Sequence, residues 1–319
     1  MRTYIIRRLI LIIPTLLVAT MTVFAVIRFI PGSVIEMMVD EREAATGQTL
    51  EGIKRSLGLD VPIHIQYVRW LSGIVLRGDF GNSMWRGTPV ARELIERLPV
   101  TIELGTLAVF FAWIVAIPVG VYSAMRQDTV GDYLSRSFAI LNLAVPGFWL
   151  GTMVIVFPAL WWDFSPPVRL IRFTEDPLGN LGMFIIPALI MGMGMSATTM
   201  RMTRTMMLEV LRNDYIRTAW AKGLRERVVI LRHALKNALI PIVTIFGMQV
   251  DLIVGGAVIM EQIFGLPGLG RMMLEGVNAR DYPIVSAVMV FVASVVLGMN
   301  LVVDLTYSFL DPRMKYRYR

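Results

Sequence analysis

RMTRTMMLEVLRNDYIRTAWAKGLRERVVILRHALKNALIPIVT, Arg201 to Thr244, is the most basic part of an otherwise greasy chain. Nine Lys or Arg fall between Arg201 and Lys236: Arg201, Arg204, Arg212, Arg217, Lys222, Arg225, Arg227, Arg232 and Lys236. Apolar runs flank the stretch on both sides. Basic residues beside membrane spans mark the cytoplasmic side, so it reads as a cytoplasmic loop. Its interior is patterned: Ile216, Ala219 and Trp220, then Val228, Leu231 and Leu235, recur at helical spacing. Gly223 lies between the two patterns and can end one helix or permit a turn into the next. The residues alone predict two short amphipathic helices with a glycine hinge, held against the inner face of a membrane, where such helices usually lie.

Composition agrees. The chain has 319 residues, 55% hydrophobic and 17% charged, with a mean hydropathy of +0.63. Soluble domains carry about 25% charged residues, so this is an integral membrane protein. There is no cysteine, which excludes disulfides and thiolate chemistry. His64 and His233 fall on opposite predicted sides of the membrane, which argues against a histidine metal site. The net charge of +7 is accounted for by cytoplasmic loops facing anionic lipid; membrane lipid is expected as a partner and nucleic acid is not.

Six apolar runs are each long enough to span: Leu9–Ile27, Leu98–Ala124, Ser137–Trp162, Leu181–Met200, Ala238–Met260 and Pro283–Leu310. The expected fold is all-α, with both termini cytoplasmic and the first helix uncleaved. Segments 1–8, 125–136, 201–237 and 311–319 hold 18 Lys or Arg in 66 residues, whereas 31–98, 163–180 and 261–283 hold 12 in 109, as that orientation requires. The organisation expected is 1–30 as the N-terminal end and first span, 31–98 as an extracytoplasmic segment, and 99–319 as a five-helix core with the loop 201–237. Pro99 is expected in the first turn of the second span and Pro118 at a kink within it. AVPGFW, Ala144 to Trp149, is expected to break the third span.

Polar residues inside spans carry functional hypotheses by default. Gln249 and Asp251 lie near the middle of the fifth span, and Asn300 and Asp304 share one face of the sixth. These four are the candidate translocation path. Glu103, in the outer part of the second span, reads as a carboxylate solvated near the interface or bonded to neighbouring helices. MGMGMS, Met191 to Ser196, spreads its sulfurs round a helix and reads as flexible packing rather than a copper site. GLPGLG lacks a following GK[ST] and reads as turn chemistry. No catalytic residue and no metal ligand is expected.

The spelling of the loop adds a resemblance. DYIRTAWAKG, then nine residues, then HALKNALIP resembles the EAA loop of ABC-importer membrane subunits, in the dipeptide/oligopeptide branch. Arg217, Thr218 and Ala219 stand where the general family has Glu-Ala-Ala, Gly223 matches its glycine, and His233 to Lys236 stand where it has Ile-x-Leu-Pro; the departures follow the peptide-importer version. LGLD-x-P, QY-x-x-W, GDFG-x-S, E-x-I-F-x-x-PGLGR and RDYP are similar to the B-type subunit of the peptide-importer pair. The resemblance implies a type I ABC importer permease in a bacterial or archaeal inner membrane. It implies a C-type permease partner, two cytoplasmic ATPase subunits that hold the ATP and Mg, and an extracytoplasmic solute-binding protein. It implies no cofactor on this chain. Asp214, Tyr215, Arg217, Thr218, Ala219, Ala221, Lys222, Gly223 and His233 would form the ATPase-coupling loop, with an apolar face including Ala219 docked on the ATPase. The cargo implied is di- or oligopeptides, with nickel chelates, glutathione or sugars also carried by relatives.

Two other readings stay open at this point. Glu103, Asp251 and Asp304 could serve an ion-coupled secondary transporter, although the paired, interrupted repeats common in such proteins are not found. A scaffold or receptor without transport is the other.

Overall fold

The apolar runs become helical, the third as two helices, and local chemistry sets where each helix ends. A computed structural model describes residues 2–29, 60–163 and 169–310; residues 1, 30–59, 164–168 and 311–319, including much of the segment 31–98, lie outside the described residues. Helix α1 spans Arg2–Phe29, α2 Ile63–Arg77, α3 Val90–Met125, α4 Val130–Ala144, α5 Gly147–Trp162, α6 Pro177–Leu211 and α7 Asp214–Ala221. A short turn, Glu226–Val228, and a π-helical segment, Val229–Leu235, lead into α8, Lys236–Ile263; α9 is Leu269–Asn278 and α10 is Tyr282–Leu310. There is no strand among the described residues.

Four helices, α1, α3, α6 and α10, are long and apolar enough to cross a membrane, and the bent pair α4 and α5 makes a fifth crossing if counted as one span. The 28-residue α8 fills the remaining expected segment. The break expected at AVPGFW is there: α4 and α5 are bent by 83°. Val145 is extended, with φ −92° and ψ 118°. That is the conformation a following proline favours, and Pro146 cannot donate to a continuing ladder.

Two helices begin or end well outside the expected spans. α3 starts at Val90, so Pro99 is in its interior rather than its first turn, and the helix continues through Pro118 as one element. ARELIER is charged yet rich in helix formers. Its Val90 and Leu94, four apart, are buried with Leu269, Met272, Ile284 and Val288. Arg92 and Glu96 lie on the exposed face, whereas Glu93 and Arg97 are drawn inward by ion pairs with Arg86 and Glu275; a run of charges reads as loop. α6 likewise runs on past Met200 to Leu211, because Thr203 and Met207 are buried.

The described residues fall into two units, Arg2–Pro99 with Gly268–Gly298, and Val100–Pro267 with the chain from Met299 onward. In the first, two aromatic side chains of α2 pack on α1. Tyr67 and Trp70 sit 5.2 and 5.5 Å from the Phe24 ring, and the Tyr67 and Thr20 hydroxyls are 3.0 Å apart. Gly78 closes α2 in the left-handed conformation. The GDFG-x-S and RDYP strings, far apart in sequence, lock together. Ser83 Oγ donates to Asp281 Oδ2 at 2.6 Å and the Met84 N–H to the same oxygen at 3.0 Å. Trp85 Nε1 donates to the Ala279 carbonyl at 2.6 Å. Asp281 is buried, so these donors supply what water no longer can.

In the second unit α6 is central, packed on α4, α5 and α8. Its core holds Leu104 and Ala108 from α3, Phe184, Ala188 and Met191 from α6, and Ala257 and Met260 from α8. Small residues bring α3 and α6 close, as membrane helices require. A Cβ on Gly192 would lie 2.7 Å from the Ala108 carbonyl oxygen, and one on Gly120 would lie 2.8 Å from that of Met200.

Candidate functional site

At about 1.5 Å per residue, the 35 residues of α6 extend about 50 Å, well beyond the ~30 Å hydrocarbon core. The second unit therefore has a part outside the membrane, and α7 is mounted there. Ile216 and Ala219 are the inward face of α7. They pack with Val121 and Ala124 of α3, Met207 of α6, Val229, Ile230 and Ala234 of the π segment, and Ala238 of α8. The rest of the helix is exposed: Asp214, Tyr215, Arg217, Thr218, Trp220, Ala221 and Lys222. Tyr215 and Trp220 keep 43% and 45% of their surface. The expected docking face including Ala219 is thus corrected. Ala219 is 6% exposed and belongs to the chain's own core, while the free aromatic surface is Tyr215 and Trp220. Tyr215 stands four before Ala219 and Trp220 four after Ile216, so both rings flank the buried pair; Trp220, although part of the expected apolar pattern, stays nearly half exposed.

The glycine hinge is as expected. Gly223 has φ +71°, and the end of α7 closes as a Schellman turn. The Leu224 N–H donates to the Ala219 carbonyl at 3.4 Å and the Gly223 N–H to that of Trp220 at 2.9 Å. Asn237 Nδ2 donates to the Tyr215 hydroxyl at 2.8 Å and to the His233 carbonyl at 3.0 Å. That bond ties α7 to the start of α8. Asn237 lies within the motif HALKNALIP, but an amide beside a span carries no charge signal and its role is not legible from the sequence. Arg217 reaches Asp214 at 3.3 Å on the exposed face, a contact worth little in water.

The second expected helix has a different face. Val228 and Leu231 are exposed and Leu235 half-buried, while Val229, Ile230 and Ala234 are buried. The cause is the π segment: i→i+5 bonding widens the turn, and a 3.6-residue template is then out of phase.

Beneath α7 sits a charge cluster that sequence reading did not assemble. Asp132, at the start of α4, is fully buried. It accepts from Arg204 Nε and Nη2, both at 2.9 Å, from Ser123 Oγ, and from the Asp128 N–H at 3.1 Å. Arg136 lies 3.8 Å away on the exposed side. Three helices are joined: α3 through Ser123, α4 through Asp132 and α6 through Arg204. Arg204 and Arg136 entered the sequence reading only as positive charge on one side, and nothing in their spacing pairs them with Asp132.

The candidate path residues divide. Gln249 on α8 is buried, its Nε2 donating to Thr199 Oγ1 at 2.7 Å and to the Met195 carbonyl at 3.2 Å; it faces α6. Asn300 is exposed on α10. The side chains of Asp251 and Asp304 lie outside the described residues. Glu103 is half-buried beside the Asn180 amide of α6.

In the first unit, Glu275 of α9 gathers Arg97 at 3.1 Å, Arg86 at 3.3 Å and Arg271 at 3.0 Å. Partial burial pushes its carboxyl up, but the charge of Arg97, then the bonds from Arg97 and Arg86 and the charge of Arg271, outweigh it and hold it below the ordinary carboxylate value. Arg86 also binds Glu93 at 2.7 Å.

The family described as binding-protein-dependent transport system inner membrane component matches residues 116–316, and its companion, the N-terminal membrane component, matches residues 1–105. The dipeptide transport system permease protein DppB of Escherichia coli (strain K12) is 38% identical over 99% of this chain and 100% of its own length. The oligopeptide transport system permease protein AppB of Bacillus subtilis (strain 168) is 37% identical with the same coverage. A solved amino acid ABC transporter with histidines has a TM-score of 0.49 at 15% identity, covering 68% of this chain and 93% of its own, a likeness too slight to carry an argument.

Proposed function

The chain belongs to the family of binding-protein-dependent transport system inner membrane components, and from that premise we propose that it is the B-type permease subunit of a peptide importer. With a C-type permease subunit it forms the translocation path for di- or oligopeptides, the cargo named for its relatives. An extracytoplasmic binding protein delivers the peptide. Two cytoplasmic ATPase subunits hold ATP and Mg; this chain contains no GxxxxGK[ST] string. Residues 31–98 form the extracytoplasmic segment, residues 99–319 the core, and both termini lie in the cytoplasm.

One observation supports α7 as the coupling helix above the rest. Its inward face is fixed in a buried cluster while Tyr215 and Trp220 are left exposed on the outward face. Such a mounting transmits force in both directions. A partner that grips the aromatic face moves α7, and Ile216, Ala219 and the Tyr215–Asn237 bond carry that motion into α3, α6 and α8. ATP binding closes the ATPase pair, the docked loops approach, and the spans rock from inward-facing to outward-facing. The ATPase must bind the two states with different affinity, or nothing is driven. Asp251, Asn300 and Asp304 are proposed to line the path, with Gln249 supporting it through α6.

The test is reconstitution of this chain with its C-type, ATPase and binding-protein partners in vesicles. Uptake of a labelled dipeptide should require ATP on the ATPase side and persist with a protonophore. Uptake that needs an ion gradient and ignores ATP would establish the ion-coupled transporter instead. Cysteine at Trp220 should escape an impermeant thiol reagent in intact cells, while cysteine at Asp79 should react; the reverse overturns the orientation.

A further inference from the structure

A cleft on the second unit lies beside the cluster that carries α7, with Ile230 common to both. Tyr122, Met125 and Arg126, at the end of α3, face Glu226, Arg227, Ile230 and Leu231 across a space of about 370 Å³. From this geometry we propose that the cleft holds the phosphodiester headgroup of a membrane phospholipid whose polar head also carries a hydrogen-bond donor.

Depth is the first argument. Leu104 to Met125 is an uncharged run of 22 residues, about 33 Å of helix and close to the ~30 Å hydrocarbon core. Tyr122 and Arg126 therefore fall at headgroup level, where tyrosine is enriched. Charge is the second. Arg126 and Arg227 are both exposed, and among the described residues neither pairs with a carboxylate. Two guanidinium forks outnumber the one carboxylate of the wall, Glu226, and unpaired forks suit phosphate oxygens; basic pockets beside membrane helices are where lipid headgroups bind. The walls are the third. Tyr122 and Leu231 keep 51% and 47% of their surface exposed. With Met125 they offer an apolar ledge to glycerol and acyl carbons at one side of the charged pair. A soluble anion would have no use for that ledge.

Glu226 supplies the selectivity. A carboxylate in the wall opposes a doubly charged phosphate monoester but tolerates a singly charged diester. It can accept from a hydroxyl or ammonium on the head. Phosphatidylglycerol and phosphatidylethanolamine carry such donors; phosphatidylcholine carries none.

Lipid retention tests this. The purified complex with its partner subunits is exchanged into mixed micelles of detergent with phosphatidylglycerol or phosphatidylcholine, and bound lipid is counted by native mass spectrometry. Arg126→Gln with Arg227→Gln should lower retained phosphatidylglycerol about tenfold, the loss expected when both charge-assisted contacts to phosphate are removed. The charge-matched control, Arg201→Gln with Arg232→Gln, should leave it unchanged. In micelles with phosphatidylethanolamine, whose head has the same net charge as phosphatidylcholine but carries N–H donors, Glu226→Gln should reduce the preference for the ethanolamine lipid while phosphate binding remains. Should the double variant fail to assemble, Arg126→Lys with Arg227→Lys, which keeps the charge and loses the fork, should still show weaker retention. Equal retention in the cleft variants and the control overturns the site. Displacement by inorganic phosphate alone would make it a soluble-anion site, and loss of the lipid whenever the ATPases are bound would make it a protein contact; either result also overturns the proposal.

Discussion

Arg204 and Asp132 meet fork to fork, two guanidinium nitrogens at 2.9 Å from two carboxylate oxygens, with the carboxylate wholly buried and the guanidinium mostly so. The pair joins α4 to α6 directly under the cluster that carries α7. Removing one partner strands a buried charge, which costs about 3–5 kcal/mol. Asp132→Ala should therefore lower the melting temperature in detergent markedly and reduce peptide-dependent ATP hydrolysis by the assembled complex. Replacing both, Asp132→Leu with Arg204→Met, should recover most of the stability, because no charge is then left unpaired. A double variant as unstable as the single one would show that the hydrogen bonds, rather than the stranded charge, hold α4 and α6 together.

The two faces of α7 predict opposite phenotypes. Ala219 is buried among Met207, Val229 and Ala234, so Ala219→Glu forces a carboxylate into that cluster and should destabilise the folded chain by ~3 kcal/mol or more. Tyr215→Ala and Trp220→Ala remove exposed aromatic surface. They should change melting by under about 1 kcal/mol each, apart from the loss of the Asn237 bond in the former. Both should weaken retention of the ATPase subunits, with aromatic anchors worth about 2 kcal/mol or more at a protein contact. Co-purification at rising salt measures this. A Trp220→Ala chain that holds its ATPases as tightly as wild type would move the docking surface off α7.

What the sequence could and could not convey follows from the range of the interactions. The spans, the glycine turn at Gly223 and the break at Val145–Pro146 are local. Hydropathy and the missing N–H of a proline act within a few residues, so they are readable in one dimension. The inward position of Ile216 and Ala219 is also local periodicity. Their partner is not: an apolar stripe looks the same whether it faces another subunit or the chain's own Met207. The π segment defeated the template at Val228 and Leu231, because a widened turn leaves no compositional mark. Asp132 with Arg204, 72 residues apart, and Ser83 with Asp281, 198 apart, are tertiary pairs that no spacing rule brings together.

Glu275 should make the first unit acid-sensitive. Its folded carboxyl is held below the ordinary value, by Arg97 foremost among the opposing charges. The stabilisation is therefore complete above the unfolded value, near 4.5, and is lost as pH falls through the lower folded one. The side chain is about one-third exposed, so solvent screening limits the contribution to under ~1 kcal/mol. Glu275→Gln should flatten the loss of stability between about pH 4.5 and lower pH, with little change at pH 7 beyond that small offset. Urea or thermal unfolding of both proteins across that range measures it. A variant whose acid limb matches wild type would assign the sensitivity elsewhere.

Gly223 separates backbone strain from contact. Its φ is +71°, and a Cβ placed there would meet no atom within 4 Å. Any cost of substitution must therefore come from the left-handed conformation alone. That cost is about 1–2 kcal/mol for an ordinary L-residue and less for Asn, whose side chain bonds its own backbone there. A β-branched side chain is worse still. Asn, Ala and Val at this position should consequently weaken the chain in that order. The Schellman bonds from Gly223 and Leu224 to Trp220 and Ala219 hold the end of α7, so the same order should appear in peptide uptake. Hydrogen exchange at the amides of Gly223 and Leu224 reports the turn directly. Protection should survive Gly223→Asn and fall with Gly223→Val. If Asn and Val impair uptake equally while both amides stay protected, the turn is intact in each, and the glycine is required for the approach of the partner's surface rather than for its own φ.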